Sequence, residues 1–361
     1  MYLSEIQIVN FKNYQEKRYS FLPNINCIVG LNGVGKTNLL DAIYYLSMSK
    51  SYFSNMDNMN IRHGEDFFAI HGDFVFDDVA GKSRVSCIQQ NGKRKILKFN
   101  DKEYSRLADH IGLIPSVMIS PYDTDYINGM ADVRRRYFDS ILSQLNKDYL
   151  DKIMSYNKLL AHRNALLKQM YDNNRLVEDE LSVWDEQLAN YAQFIYEQRK
   201  NFIQDFLPIF VHYFSTITAH KEQVNIQYLS SLAQADMLTL LQENRQKDYY
   251  SQHTSCGIHK DDFLFEMNNF TVKRYCSQGQ QKSFLIALKL AQGDYIRQLK
   301  DKAPLLLLDD IFDKLDENRI AELIRMVNGN DFGQTFITDT DKNRIVNLLT
   351  SNNIEFNLIE L

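Results

Sequence analysis

The chain opens in strand-like alternation, with Ile6, Ile8 and Phe11 on one stretch and Ile25, Cys27, Ile28 and Val29 on a second. Residues 67 to 99 keep a strand-like pattern, broken by turns at Gly81-Lys82 and Asn91-Gly92, the latter a strong hairpin signal. From about 133 to 250 the period lengthens to helical spacing, with almost no Gly and only Pro208. Strands return from 256, and the final stretch reads strand, helix, strand, helix, strand. The pattern predicts an α/β lobe at both ends of the chain, residues 1–118 and 252–361, with a mainly helical lobe at 119–251 inserted between them.

The helical block is electrically uneven. Residues 133 to 170 carry eight Lys or Arg against three acids, whereas 171 to 205 carry three bases against eight acids. Two readings stand together: two helices pairing through opposite charge, and a basic face that neutralises phosphates with salt-dependent, sequence-independent affinity.

Composition narrows the class. Over 361 residues the net charge is −5, which excludes a globally basic nucleic-acid coat and leaves any DNA contact to a local patch. Gly 14 and Pro 5 exclude a collagenous or linker-rich chain. The longest apolar runs, such as Pro304 to Leu308, are far shorter than a membrane span, and the N-terminal residues lack a basic-then-apolar leader. Four cysteines without a CxxC pair agree with a soluble cytoplasmic protein. His253, Cys256 and His259 have ligand-like spacing, but no fourth partner stands nearby at suitable spacing, and the group reads first as side chains in or beside a turn.

Nucleotide chemistry enters at Gly30-Leu31-Asn32-Gly33-Val34-Gly35-Lys36-Thr37, a match to GxxxxGK(S/T). It follows the apolar strand Cys27 to Val29 and precedes a helical pattern through Asn38, Leu39, Ala42 and Leu46, the setting the motif requires. Backbone N–H groups of such a loop cradle phosphates, Lys36 reaches the β- and γ-phosphates of ATP, and the Thr37 hydroxyl ligates Mg²⁺. Leu305-Leu306-Leu307-Leu308 reads as a strand buried on both faces, ending in Asp309 and Asp310. Asp309 is then the second Mg²⁺ partner, and Asp310 orients or deprotonates the attacking water. Ser277 and Gln280 have capping-box spacing and start a helix running through Phe284, Leu285, Leu288 and Ala291.

These motifs together resemble the RecF family of bacterial DNA repair ATPases, related to the SMC and ABC-type ATPases. The resemblance runs over nearly the whole chain. It rests on Asn10-Phe11-Lys12-Asn13-Tyr14, the phosphate loop with Asn32 and Asn38, Ser120-Pro121-Tyr122-Asp123, Arg134-Arg135-Arg136-Tyr137-Phe138-Asp139 and Arg163-Asn164-Ala165-Leu166-Leu167. Gly257-Ile258-His259-Lys260-Asp261-Asp262, Ser277-Gln278-Gly279-Gln280-Gln281-Lys282 and the Leu-Leu-Leu-Leu-Asp-Asp strand complete it. It implies an ABC/SMC-head-like ATPase lobe, with Asn13 and residues 30–38 binding ATP and Ser277–Gln281 acting as a signature on the nucleotide of a second subunit. Ser277 lies 32 residues before Asp309, the spacing seen between these motifs in ABC-type ATPases. Asp316 matches a loop that signals across such dimers; on sequence grounds alone, residues 315–318 would simply cap the following helix.

The resemblance further implies an ATP-dependent homodimer on double-stranded DNA and double-strand/single-strand junctions, working with RecR and RecO to place RecA, with slow DNA-stimulated hydrolysis. Arg134, Arg135 and Arg136 are the DNA-contact candidates, since cations at a helix start call for a phosphate or an acid; Asp132 and Asp139 are the rival partners. Lys93, Arg94 and Lys95 on the predicted hairpin tip are a second basic cluster. Lys260 stands where the family usually has Arg, and Thr338 where ABC transporters place a switch histidine. Other SMC-type clamps call for longer coiled coils, a transporter ATPase subunit for a shorter interval between Lys36 and Asp309, and a nuclease relative for an extra acidic domain. A DNA-binding scaffold that switches on nucleotide without useful turnover remains open.

Overall fold

A computed structural model describes residues 1–219, 222–312, 317–329 and 332–361. Strands β1 (Tyr2–Phe11), β2 (Tyr14–Ser20) and β3 (Ile25–Val29) lead into helix α1 (Lys36–Met48), followed by β4 (Phe67–Val75), β5 (Lys82–Gln90), β6 (Ile96–Phe99), β7 (Lys102–Glu103) and β8 (Ser116–Ile119). Helices α2 (Thr124–Asn128), α3 (Ala131–Leu145), α4 (Lys147–Asp172) and α5 (Glu178–Thr218) come next. Then follow β9 (Val224–Leu229), α6 (Met237–Glu243), α7 (Arg245–Ser251), β10 (Asp262–Met267), β11 (Phe270–Thr271) and α8 (Val272–Tyr275). The remaining elements are α9 (Gln278–Lys300), β12 (Leu305–Leu308), α10 (Glu317–Val327), β13 (Thr335–Asp339), α11 (Lys342–Ser351) and β14 (Phe356–Glu360).

The chain forms two compact units. The first comprises Met1–Asp123, His212–Lys221 and Gln278–Leu361. It holds a five-stranded sheet in the order β14-β3-β13-β12-β8, whose strand pairs are all parallel, and a six-stranded antiparallel sheet in the order β2-β1-β4-β5-β6-β7. Buried strands such as Leu305–Leu308 are continuous apolar runs because both faces of the parallel sheet are covered. Helix α1 is buried on nearly every side: Leu39, Leu40, Ala42, Ile43, Tyr45 and Leu46 all belong to one core with residues of β1, β4, β5 and β12. Gly72 allows the close approach, since a Cβ there would stand 2.5 Å from Leu46 Cδ1. Gln334 stitches the N-terminal strand to this core, accepting from the Leu3 N–H at 2.7 Å and donating to the carbonyls of Leu3 and Leu22.

The second unit comprises Thr124–Val211 and Glu222–Ser277. Its helices α3, α4 and much of α5 accompany an antiparallel sheet in the order β11-β10-β9. The compact units divide the chain at 123/124, 211/212, 221/222 and 277/278, beside the 118/119 and 251/252 expected from the sequence pattern. The shift from 251/252 to 277/278 has a physical cause. Residues 224–229, which the helical pattern had absorbed, form an edge strand whose Phe265↔Ile226 and Phe263↔Tyr228 pairs hold residues 262–267 in this unit. A six-residue alternation beside a 41-residue helix carries little weight in a periodicity reading.

Two ion clusters organise the unit. Arg163, fully buried, donates to Asp185 at 2.7 Å, Asp248 at 2.8 Å and the Thr254 hydroxyl at 2.9 Å. Arg199 donates to both carboxylate oxygens of Asp139 at 3.0 and 2.9 Å, to Asp261 at 3.2 Å and to the Ile258 carbonyl at 2.8 Å. Opposite-charge pairing thus joins α4 to α5 through Arg163 and Asp185, while Lys158 and Lys168 of α4 face solvent. Among the described residues, no helix is long and apolar enough to cross a membrane.

Candidate functional site

The phosphate loop sits where β3 gives way to α1, and the conformations it needs explain its glycines. Gly33 has φ +83° and Gly35 φ +120°, both in the left-handed region. A Cβ on Gly35 would also meet Asn13 Nδ2 at 2.7 Å, so the loop is built around that asparagine. Asn13 donates to the Val34 carbonyl at 2.9 Å and accepts from Asn38 at 2.7 Å, and the Tyr14 hydroxyl donates to the Gly35 carbonyl at 3.0 Å. Lys36, 4% exposed, turns its ammonium onto the carbonyls of Gly30 at 2.9 Å and Leu31 at 3.2 Å. The N-terminal turn of α1 carries no acidic residue, which leaves its positive dipole end uncompensated for an anion.

The metal-type donors converge from three elements. Asp309 follows β12 and accepts the Thr37 hydroxyl, which lies 2.9 and 3.1 Å from its two oxygens. The Thr338 hydroxyl on β13 lies 3.0 Å from Asp309 Oδ1 and accepts from the Asp310 N–H at 2.9 Å. β13 lies between β3 and β12, so Thr338 stands between the phosphate-loop strand and the two aspartates. Asp310 itself has φ 43°, a left-handed backbone that aspartate tolerates better than most residues.

Burial pushes the Asp309 carboxyl up to about 6; the Thr37 hydroxyl opposes the rise, the Asp310 charge adds to it, and Thr338 and Lys36 pull it back. A carboxylate held so far from water gains strongly from a dication. Thr37 and Asp309 supply the hard oxygen donors that Mg²⁺ prefers, and the glycine cradle with Lys36 suits a polyphosphate, so the residues fit both ATP and Mg²⁺.

The first unit therefore brings together Asn13, Gly30, Leu31, Asn32, Gly33, Val34, Gly35, Lys36, Thr37, Asn38, Asp309 and Asp310. Helix α9 begins at Gln278, one residue after Ser277, and the segment of Ser277 and Gln278 is exposed while Gly279, Gln280 and Gln281 are half-buried. Asp316 lies outside the described residues. Sequence reasoning noted Thr338 only for not being histidine; its hydroxyl, within reach of both aspartates, is the feature that a one-dimensional reading leaves out. Tyr14 was visible only as part of a motif.

The basic candidates separate sharply. Arg134 forms a bidentate pair with Asp262 at 2.8 and 3.0 Å and also reaches the Gly129 carbonyl. Arg135 donates to the Asp261 carbonyl at 2.5 Å. Arg136 is 64% exposed and pairs with Asp132 one turn back. Asp139, the other sequence-level partner, belongs instead to Arg199. The arginine triplet and the Asp261-Asp262 pair are thus largely each other's partners within the second unit. On the hairpin tip Lys93 and Arg94 are exposed, whereas Lys95 is buried against Asp57 at 2.7 Å.

His259 is engaged at both nitrogens: Nε2 lies 3.0 Å from the Thr254 carbonyl and so carries the proton, while Nδ1 accepts from the Tyr156 hydroxyl at 2.7 Å. Burial pushes its pKa down to about 4. Among the described residues no His, Cys, Asp and Glu cluster has metal-binding geometry.

The fold and this donor set define an ATP-binding head of the ABC and SMC type. The chain belongs to the RecF/RecN/SMC N terminal domain family, whose model matches residues 2–356. It is 45% identical over 361 residues to the "DNA replication and repair protein RecF" of Flavobacterium johnsoniae, covering all of both chains. It is 44% identical over 350 residues to the protein of the same description from Phocaeicola vulgatus, covering 97% of this chain and 93% of that one. A solved structure described as "recombination mediator protein RecF-ATP in RecFOR pathway" superposes with TM-score 0.88 at 30% identity, over 94% of this chain and 92% of the other. An Smc head bound to a domain of ScpA shares the fold, with TM-score 0.57 at 14% identity over 96% and 92% of the two chains.

Proposed function

We propose that this chain is an ATP-dependent, DNA-binding recombination mediator that works at single-strand gaps and stalled forks as a nucleotide-closed homodimer. The observation that carries the reading is the meeting of Thr37, Asp309, Thr338 and Asp310 beside the phosphate loop. Lys36 leaves the loop carbonyls for the β- and γ-phosphates, Thr37 and Asp309 hold Mg²⁺, and the N-terminal turn of α1 faces negative charge. Bound there, the ion supplies charge neutralisation for the leaving phosphates. Asp310, its backbone held by Thr338, orients the attacking water. Ser277 to Gln281 complete the site on the second subunit's nucleotide, so hydrolysis requires the dimer and serves to reopen it; its rate is slow and raised by DNA. Asp316 signals between the two sites.

The relatives' descriptions as DNA repair proteins of the RecFOR pathway support DNA, RecR and RecO as partners; duplex DNA and its junctions with single strands, RecA as the protein finally loaded, and the cytoplasm are our extension from the family resemblance. Arg136 is the member of the triplet available to phosphate. The test is sedimentation of the native chain, Lys36→Met and Ser277→Arg with duplex DNA in ATP and Mg²⁺, in ADP, or without nucleotide. A DNA-holding dimer with ATP alone, lost in both variants, is the expected result. A native chain that stays monomeric and ignores DNA in every condition overturns the reading.

A further inference from the structure

Arg319 lies on α10, the helix that follows the two aspartates and the segment containing Asp316. Its Nη1 donates to the Gly279 carbonyl at 3.3 Å and to the Ser283 hydroxyl at 2.9 Å. Ser283 in turn donates to the same Gly279 carbonyl at 3.1 Å, so one guanidinium closes a three-membered set on the first turns of α9. Gly279 is the third residue of the Ser277–Gln281 run, and among the described residues an added Cβ there meets only Arg319, at 3.7 Å. The arginine therefore holds the first turns of α9, the run itself through Gly279 and the residue just beyond it through Ser283.

Electrostatics give this contact a direction. A cation beside the N-terminal turn of a helix adds to the positive end of the dipole and favours an anion there. The first turn of α9 carries no acidic residue of its own. The arrangement suits an incoming phosphate. The same side chain stands on α10, ten and nine residues after Asp309 and Asp310 in the chain, so a shift of α10 reaches the run through a charge-assisted hydrogen bond.

We infer that Arg319 is a positioning residue that ties each subunit's own aspartate strand to the signature run it presents to the second subunit's nucleotide. This rests on the dimeric reading above. Arg319 acts on the site its subunit lends to, not on the site built around its own phosphate loop.

Mixed dimers separate the two. One subunit carries Asp310→Asn, which keeps its ATP but does not turn it over, so all hydrolysis occurs at the other subunit's phosphate loop. Arg319→Ala is placed on either subunit in turn, and turnover, ATP affinity and the ATP-dependent dimer are measured for each. Placed on the Asp310→Asn subunit, it lowers turnover roughly tenfold or more, the scale of one charge-assisted hydrogen bond, with ATP affinity of the isolated subunits unchanged. Placed on the hydrolysing subunit, it changes turnover less than about twofold. Arg319→Lys, which keeps the cation, restores part of the loss. Equal losses in both placements, or none in either, overturn the inference. Absence of any ATP-dependent dimer of the native chain overturns the dimeric reading instead.

Discussion

Replacing Asp309 with asparagine should make the nucleotide-free protein more stable, even though it removes a central group of the site. Asp309 is 2% exposed, and its carboxyl is raised from the ordinary 3.8 to about 6, which corresponds to roughly 3 kcal/mol of preference for the neutral form. The folded state holds this proton more tightly than the unfolded chain, so the group's contribution falls as pH rises from 3.8 toward 6. The cost is complete at about pH 7 and above, and near half that at pH 5. Asparagine has the same shape without the charge, though weaker hydrogen bonds to Thr37 and Thr338 take back about 1 kcal/mol. Asp309→Asn should therefore exceed the native protein by about 2 kcal/mol at pH 8 and by well under 1 kcal/mol at pH 5. Urea unfolding followed by circular dichroism across this pH range measures it. Saturating ATP with Mg²⁺ should stabilise the native chain more than the variant. A variant no more stable than native at pH 8, or a difference that ignores pH, would refute the reasoning.

Three further outcomes follow from the same geometry. Gly35→Ala forces a Cβ to 2.7 Å from Asn13 at φ +120°, and calorimetric titration should find ATP affinity reduced by about 100-fold or more. Arg199→Met leaves Asp139 and Asp261 without their shared cation, at a cost of about 3–5 kcal/mol, read from the Trp184 transition in denaturant. Arg136→Glu should weaken duplex binding and lower its salt dependence without moving the melting temperature, whereas Arg134→Ala should first cost about 2 kcal/mol of stability by stranding Asp262.

The phosphate loop and the aspartate pair were legible because each is a run of adjacent residues whose local setting, strand before or helix after, carries the signal. The family resemblance was legible for the same reason. What the chain concealed lies in pairings across long intervals. Arg134 with Asp262 and Arg199 with Asp139 are matched by folding, so an arginine triplet at a helix start resembles a phosphate-binding patch until its acids are found. The same holds for Lys95, whose hairpin tip reads as solvated although Asp57 buries it. Strand β9 was missed because six alternating residues beside a long helix give too short a window, and its partner β10 lies more than 30 residues further on.

The position of β3 has a consequence for the making of the protein. Both its neighbours in the sheet, Thr335–Asp339 and Phe356–Glu360, are synthesised about 300 residues after it, which at ~5–20 residues per second is a delay of about 15–60 s. Until then the strand that carries the phosphate loop has no sheet to join, and its apolar residues need shelter. A chain interrupted between α1 and β13 contains the complete nucleotide-binding motif yet lacks both strands that flank it in the sheet. Translation is thus nearly finished before both strands that flank the phosphate-loop strand are available to it.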